Sequence, residues 1–191
     1  MNKVLITGAN SGLGKHLVSK FKNEGYEVFE HNGSKHYDLT KQNDVQRLAQ
    51  EAKDFGVNIL INNAAIVCPS KELLLYSDNE IKNMIEVNLT SPILLTFYLL
   101  DQLTDIININ SMVGLEIKSP RTLYSATKWG LRGFAQSLKE ENKNINVLDI
   151  YPTNIKTTPD KQNAMDVSFV VDSIYNSFVN KEQILILDGR K

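Results

Sequence analysis

The sequence predicts an α/β fold: a doubly wound parallel sheet of about seven strands with helices on both faces. Three observations predict it. Short apolar runs alternate with longer amphipathic ones along the whole chain. Those short runs are continuously apolar, as strands covered on both faces are. The segments that follow four of them, "TGANSGLG", "NNAA", "NSMVG" and "YPTNIKT", are polar or glycine-rich, and ligands of open parallel sheets bind beyond the carboxyl ends of the strands.

The elements follow in order. "KVLIT", closed by Gly8, reads as a buried strand. In "GLGKHLVSKFKNEG", Leu13, Leu17 and Phe21 recur at helical spacing and Gly25 stops the pattern. "YEVFEH" is a second strand. "TKQNDVQRLAQEAKDFG" reads as a helix capped by Thr40 and ended by Gly56, and "VNILIN" as a buried strand. "SDNEIKNMIEVNLTSPILLTFYLLDQL" reads as one long helix bent at Pro92. "DIININ" is a strand, "TLYSATKWGLRGFAQSLKEEN" a helix, "INVLDIYP" a strand, "MDVSFVVDSIYNSFV" a helix and "QILILDG" a last strand. Counted against about seven strands, "NNAA" follows the fourth, "NSMVG" the fifth and "YPTNIKT" the sixth.

The chain has 191 residues, enough for a core of its own. It shows no repeat, low-complexity tract or linker, so a single domain over 1–191 is expected. Its net charge of −1 points away from a nucleic-acid partner. The one cysteine, Cys68, has no disulfide partner within the chain. It reads as a small apolar residue, buried or half-buried. No Cys/His cluster has zinc spacing, so no metal is expected. "MNKVLITGAN" lacks a signal-peptide core, and "SPILLTFYLLDQL" is too short to span a bilayer. A cytoplasmic protein with no membrane contact is the expectation.

Two stretches carry chemistry. In "TGANSGLG", Gly8, Gly12 and Gly14 stand between a strand and a helix. There they permit a tight turn and close approach of backbone N–H groups to a pyrophosphate. A generic strand–helix turn has the same composition, and Asn10 and Ser11 would equally cap the helix. In "YSATK", Tyr124 and Lys128 are four residues apart, on one helical face about one turn apart. A cation beside it favours the phenolate, so Tyr124 is expected to titrate below its reference value of about 10. Alone, the pair also reads as a surface Tyr beside a solvated Lys.

T-G-x-x-x-G-x-G at Thr7–Gly14, N-N-A-A at Asn62–Ala65, Asn88, Ser111 and Y-x-x-x-K at Tyr124–Lys128 occur in that order. The set resembles the short-chain dehydrogenase/reductase family, of the branch usually called classical, and covers about residues 3–189. The resemblance implies a Rossmann-type fold and an NAD(P)-dependent oxidoreductase that interconverts a CH–OH group and a carbonyl. It implies that Tyr124 exchanges a proton with the substrate oxygen and that Lys128 lowers the Tyr124 pKa and holds the nicotinamide ribose. Ser111 would hydrogen-bond the substrate oxygen, and Asn88 would hold a water that relays protons to Lys128. Hydride transfer leaves charge on oxygen, so a positioned acid and a hydrogen-bond donor suit the step. For the cofactor, the resemblance implies that Gly8, Asn10, Ser11, Gly12, Leu13 and Gly14 wrap the pyrophosphate. Asp38 and Leu39 would lie by the adenine, Asn62 and Ala64 would line the groove, and Pro152, Ile155 and Thr157 would meet the nicotinamide.

The sequence departs from the family at three places. Eighteen residues beyond Gly14 stands Asn32, where NAD-preferring members carry a carboxylate for the ribose hydroxyls. Asn32, Ser34 and Lys35 suit a 2′-phosphate, so NADP(H) is favoured over NAD(H). Asn32 and Asp38 are six apart, which leaves no room for the helix usual there, and the substrate lid near 158–165 is short. Thr153 replaces a glycine and is expected to narrow the nicotinamide pocket. The short lid leaves open a second reading, a nucleotide-binding sensor or scaffold with little turnover. An epimerase or dehydratase of the extended branch fits the glycine spacing less well. The helices with Leu89, Ile93, Leu94, Phe97, Tyr98 and Leu100, and with Trp129 and Phe134, are apolar nearly all round, which predicts a homodimer or homotetramer.

Overall fold

The structure, a computed structural model, describes residues 2–67, 70–157 and 163–190. Cys68 and the stretch 158–162, most of the expected lid, lie outside the described residues.

Strand β1 (Lys3–Thr7) leads through α1 (Gly12–Asn23) to β2 (Glu27–His31). Helix α2 (Gln42–Phe55) and β3 (Ile59–Asn62) follow, then α3 (Asp78–Ile85) and α4 (Ser91–Leu99). Strand β4 (Asp105–Ile109), α5 (Thr122–Glu141) and β5 (Asn146–Pro152) complete the centre. The chain ends with β6 (Ile155–Lys156), β7 (Met165–Asp166), α6 (Val167–Val179) and β8 (Ile184–Leu187). The main sheet has six strands in the order β2-β1-β3-β4-β5-β8, every pair parallel. Strands β6 and β7 form a separate two-stranded ladder. The expected count of about seven is therefore one too high for the main sheet. No strand or helix forms between β2 and α2, so "NNAA" follows the third strand, "NSMVG" the fourth and "YPTNIKT" the fifth.

Strand periodicity distributes the side chains between two cores. Val4 and Ile6 of β1 face one side with Ile59, Ile61, Ile107 and Leu148, covered by Leu17 and Phe21 of α1 and Ile174 and Phe178 of α6. Leu5 faces the other with Leu60, Ile106 and Val147, under Leu48 of α2, Leu95 and Leu99 of α4, and Leu138 of α5. The run from Ser77 to Leu103 is not one bent helix. Helix α3 opens with a capping box in which Ser77 and Glu80 satisfy each other's backbone N–H groups. A π-helical segment, Glu86–Thr90, then separates α3 from α4. Pro92 sits at the start of α4, where its missing N–H costs nothing. The irregularity lies at Asn88 rather than at the proline. Helix α2 likewise begins after Lys41, not Thr40, because the Thr40 backbone N–H and hydroxyl both donate to the Asp38 carboxylate.

Candidate active site

Strand order reverses about β1 and β3, and ligands of such sheets bind at that switch point. The carboxyl ends of β1, β3, β4 and β5 open there onto one cleft of about 550 Å³.

The first wall is the glycine loop. Gly8 and Gly12 have φ of +65° and +52°, and a Cβ on Gly14 would sit 2.0 Å from the Gly8 carbonyl oxygen. Gly14 packs beneath the loop and is outside the cleft lining, where it lets the first turn of α1 lie against the Gly8 carbonyl. Asn63 Nδ2 donates to the carbonyls of Thr7 and Gly8, at 2.8 and 3.1 Å. The Thr7 hydroxyl accepts the N–H groups of Asn63 and Ala64, each at 3.0 Å. His31 fixes the loop from β2: its Nδ1 accepts the Gly8 N–H at 3.2 Å and its Nε2 donates to the Tyr37 carbonyl at 2.9 Å. Burial lowers its pKa and favours this neutral form. Neither His31 nor Asn63 is in the sequence-based set. The signal was present, a polar residue at or just past the carboxyl end of β2 and of β3, but nothing in the sequence ties them to Gly8.

At the start of α1, Ser11 is the N-cap residue but its side chain makes no cap hydrogen bond, and the first turn holds no acid. Free N–H groups and a positive dipole end therefore face the cleft. Asn10 does not cap either; its Nδ2 donates to the Asn32 carbonyl at 3.1 Å. Asn32 is exposed and does not line the cleft, whereas Gly33 and Ser34 do. Asp38 and Leu39 line it too, and hydrogen bonds from Thr40 hold the Asp38 carboxyl below its ordinary pKa. Asn62 is buried beneath the cleft; its Nδ2 donates to Asn108 Oδ1 at 2.9 Å, and Asn108 Nδ2 to Asp149 Oδ1 at 3.0 Å. Asn62 is thus a tie between strands, not a lining residue. Ala64, Pro152, Ile155 and Thr157 are all in the lining.

At the other end, β4 and α5 bring Ser111, Tyr124 and Lys128 together. Helical spacing places Tyr124 and Lys128 on the buried face of α5, with 6% and 2% of their surface exposed. Lys128 Nζ donates to the Ile109 carbonyl at 2.9 Å and lies 5.7 Å from the centre of the Tyr124 ring. The expected depression of the Tyr124 pKa is not what the site produces. Burial pushes the phenol up, against a smaller opposing pull from a hydrogen bond with Ser111 and from the Arg121 charge. Lys128 is turned to the Ile109 carbonyl, and burial brings its own pKa down to about 8.

Asn88 is buried and outside the lining. Its Oδ1 accepts the Ile66 N–H at 2.7 Å, and its Nδ2 donates to the Ile66 carbonyl at 3.0 Å and to Thr127 Oγ1 at 3.4 Å. The side chain thus ties the segment after β3 to α5. Thr153 does line the cleft, and its hydroxyl accepts the Gly189 N–H at 2.9 Å. The departure from glycine there anchors the C-terminal segment beside the site.

Relatives of known sequence and structure place the chain. The profile of the family described as "short chain dehydrogenase" matches residues 33–167. The 3-oxoacyl-acyl-carrier-protein reductase FabG of Buchnera aphidicola subsp. Schizaphis graminum is 33% identical over 180 residues, covering 80% of this chain and 73% of that protein. Among solved structures, a short-chain dehydrogenase from Sphingobium yanoikuyae in complex with NADPH superposes with a TM-score of 0.82 at 23% identity, over 97% of this chain and 87% of that one. The 4-hydroxyisoleucine dehydrogenase complexed with NADH gives 0.84 at 23%, over 99% of this chain and 98% of that one. With the family profile spanning more than half of its residues, this chain belongs to the short-chain dehydrogenase/reductase family.

Proposed function

We propose that the protein is an NAD(P)-dependent oxidoreductase that interconverts a small carbonyl compound and its alcohol, with the whole chain acting as one nucleotide-binding domain in the cytoplasm. The observation that carries this reading is one cleft with two chemically distinct ends. One end is a glycine loop with an uncapped helix start, and the other is the convergence of Ser111, Tyr124 and Lys128.

The residues present fit a dinucleotide. A side chain at Gly8 would press on Ala64, with its Cβ 3.0 Å from the Ala64 Cα, so the backbone there stays bare for close approach. The α1 N–H groups and dipole would hold the pyrophosphate. Lys128 would hold the nicotinamide ribose, and Ile155 and Thr157 the carboxamide. The nicotinamide, when bound, supplies or accepts the hydride. The chain's own residues handle the oxygen. The Tyr124 phenol, kept protonated by burial, donates its proton to the developing alkoxide. Ser111 donates a hydrogen bond to the same oxygen, and the Lys128 ammonium stabilises the phenolate left behind. Asn88 would hold the relay water through its backbone, since both amide hydrogens of its side chain are engaged by Ile66 and Thr127.

NADPH is the favoured cofactor in this reading. No carboxylate ends β2 in the cleft, and Gly33 and Ser34 face it instead. A panel of aldehydes and ketones assayed with NADPH and with NADH tests the proposal. Turnover is expected, faster with NADPH at limiting cofactor. Tight cofactor binding with no turnover on any carbonyl would instead mark a nucleotide-binding sensor.

A further inference from the structure

The reacting end of the cleft carries more positive charge than the chemistry at Tyr124 uses. Lys118, Arg121 and Arg190 line it beyond the Tyr124–Lys128 pair, against the Glu116 carboxylate. Arg190 is already neutralised. Its Nη1 donates to Glu116 at 2.6 Å, and its Nε and Nη2 donate to Asp188 at 2.8 and 2.9 Å. Lys118 and Arg121 have no such partner among the described residues.

Arg121 is anomalous twice over. Its Nε is buried and donates to nothing, although buried N–H groups are nearly always paired. It also occupies the N-cap position of α5, makes no side-chain cap, and stands over a first turn without an acid. That position favours Ser, Thr, Asp or Asn, and the helix dipole there repels a cation. An unpaired guanidinium, the positive end of a 20-residue helix and the unpaired Lys118 ammonium thus converge on one part of the cleft. An anion would relieve both penalties at Arg121 at once, and the exposed Lys118 adds to the field that draws it.

The dinucleotide phosphates do not supply that anion. The glycine loop and Ser34 follow β1 and β2, whereas Arg121 opens the helix after β4, on the other side of the switch point. Its charge acts on the Tyr124 phenol, beside the reacting oxygen. Resting on the carbonyl–alcohol reading above, we propose that the substrate is an oxo acid, or the corresponding hydroxy acid. Arg121 is the specificity-determining residue that grips its carboxylate, with Lys118 assisting. A guanidinium fork matches a carboxylate in two parallel hydrogen bonds. A site built for such bonds rejects a neutral analogue that leaves it unpaired.

The test pairs 2-oxobutanoate, 3-oxobutanoate and 4-oxopentanoate with their methyl esters, on wild type and on Arg121→Gln and Arg121→Lys. For at least one pair, wild-type kcat/KM should favour the acid at least tenfold. Arg121→Gln should lose most of that preference through a raised KM for the acid, Arg121→Lys should keep part of it, and in either variant the KM for the acid should rise more than the KM for the ester. Titration of each acid and ester into the protein saturated with NADP+, which has no hydride to give a carbonyl, reads the same preference without turnover. Esters turned over as well as acids in wild type would overturn the oxo-acid assignment while leaving the oxidoreductase reading intact. Acid binding that survives Arg121→Gln would overturn the role of Arg121. Equal or absent binding of acid and ester would overturn the anion site. A weakened affinity of Arg121→Gln for NADPH itself would reassign Arg121 to the cofactor. Acid-selective binding without turnover of any carbonyl would support the anion site and count against the oxidoreductase reading instead.

Discussion

Burial acts on Tyr124 and Lys128 in opposite directions, raising the phenol and lowering the ammonium to about 8. At neutral pH the phenol is therefore protonated and the lysine charged, the state needed to reduce a carbonyl. Tyr124→Phe is expected to cut turnover by about two to four orders of magnitude while leaving NADPH affinity near wild type, as a titration of the variant would show. Lys128 also links stability to pH. Its folded pKa lies below the ordinary value of 10.5, so between about pH 8 and 10.5 the unfolded chain binds more protons than the folded one. Stability from this group therefore rises with pH across that window, and the penalty for charging the buried amine is fully present below it. Urea midpoints at pH 7.5 and 9.5 should show this rise in wild type but not in Lys128→Met; parallel pH profiles would refute it. At the mouth of the adenosine end, Asn32→Asp would place a carboxylate next to Gly33 and Ser34. It should weaken NADPH relative to NADH by about tenfold or more through repulsion of the 2′-phosphate; calorimetry with both cofactors decides.

At the scale of elements, the site depends on how α1 and the helices after β3 are seated. Gly14 lets the first turn of α1 lie against the Gly8 carbonyl, and a Cβ there would meet that oxygen at 2.0 Å. Backbone cannot move aside as a side-chain end can. Gly14→Ala is expected to destabilise the fold by about 1–3 kcal/mol and to weaken cofactor binding as well, measurable by thermal melts with and without NADPH. The π-helical segment at Glu86–Thr90 has the same kind of role. It turns Asn88 inward, where the side chain holds both backbone groups of Ile66, and such bulges are frequent at functional sites.

For the whole molecule, the outer faces of α4 and α5 leave apolar side chains uncovered. Phe97 is 68% exposed and Trp129 44%, and Phe134 is half-buried. A two-fold pairing of these helices across a self-complementary patch would cover them. On that reading, light scattering at micromolar concentration returns a dimer or tetramer, and Phe97→Glu with Trp129→Glu shifts it towards the 21.6 kDa monomer. A wild-type monomer would refute the pairing. No helix among the described residues is long and apolar enough to cross a membrane.

What the sequence determined by itself is the alternation of strand and helix, the edge of the sheet that carries the cleft, and the pairing of Tyr124 with Lys128 on one helical face. Those features are written locally. Apolar runs set the strands, glycines set the turns, and a four-residue spacing puts Tyr124 and Lys128 on one face of α5. The tertiary structure decided the rest, because each remaining feature depends on a partner distant in the chain. Asn62, expected in the cleft, is turned to Asn108 on a neighbouring strand. Asn32 is left outside while His31 reaches Gly8. The Tyr124 pKa moves up because burial, set by the whole packing around α5, outweighs the charge four residues away. No motif in the sequence singles out Arg121, and only the assembled cleft shows that nothing in the described chain answers its charge.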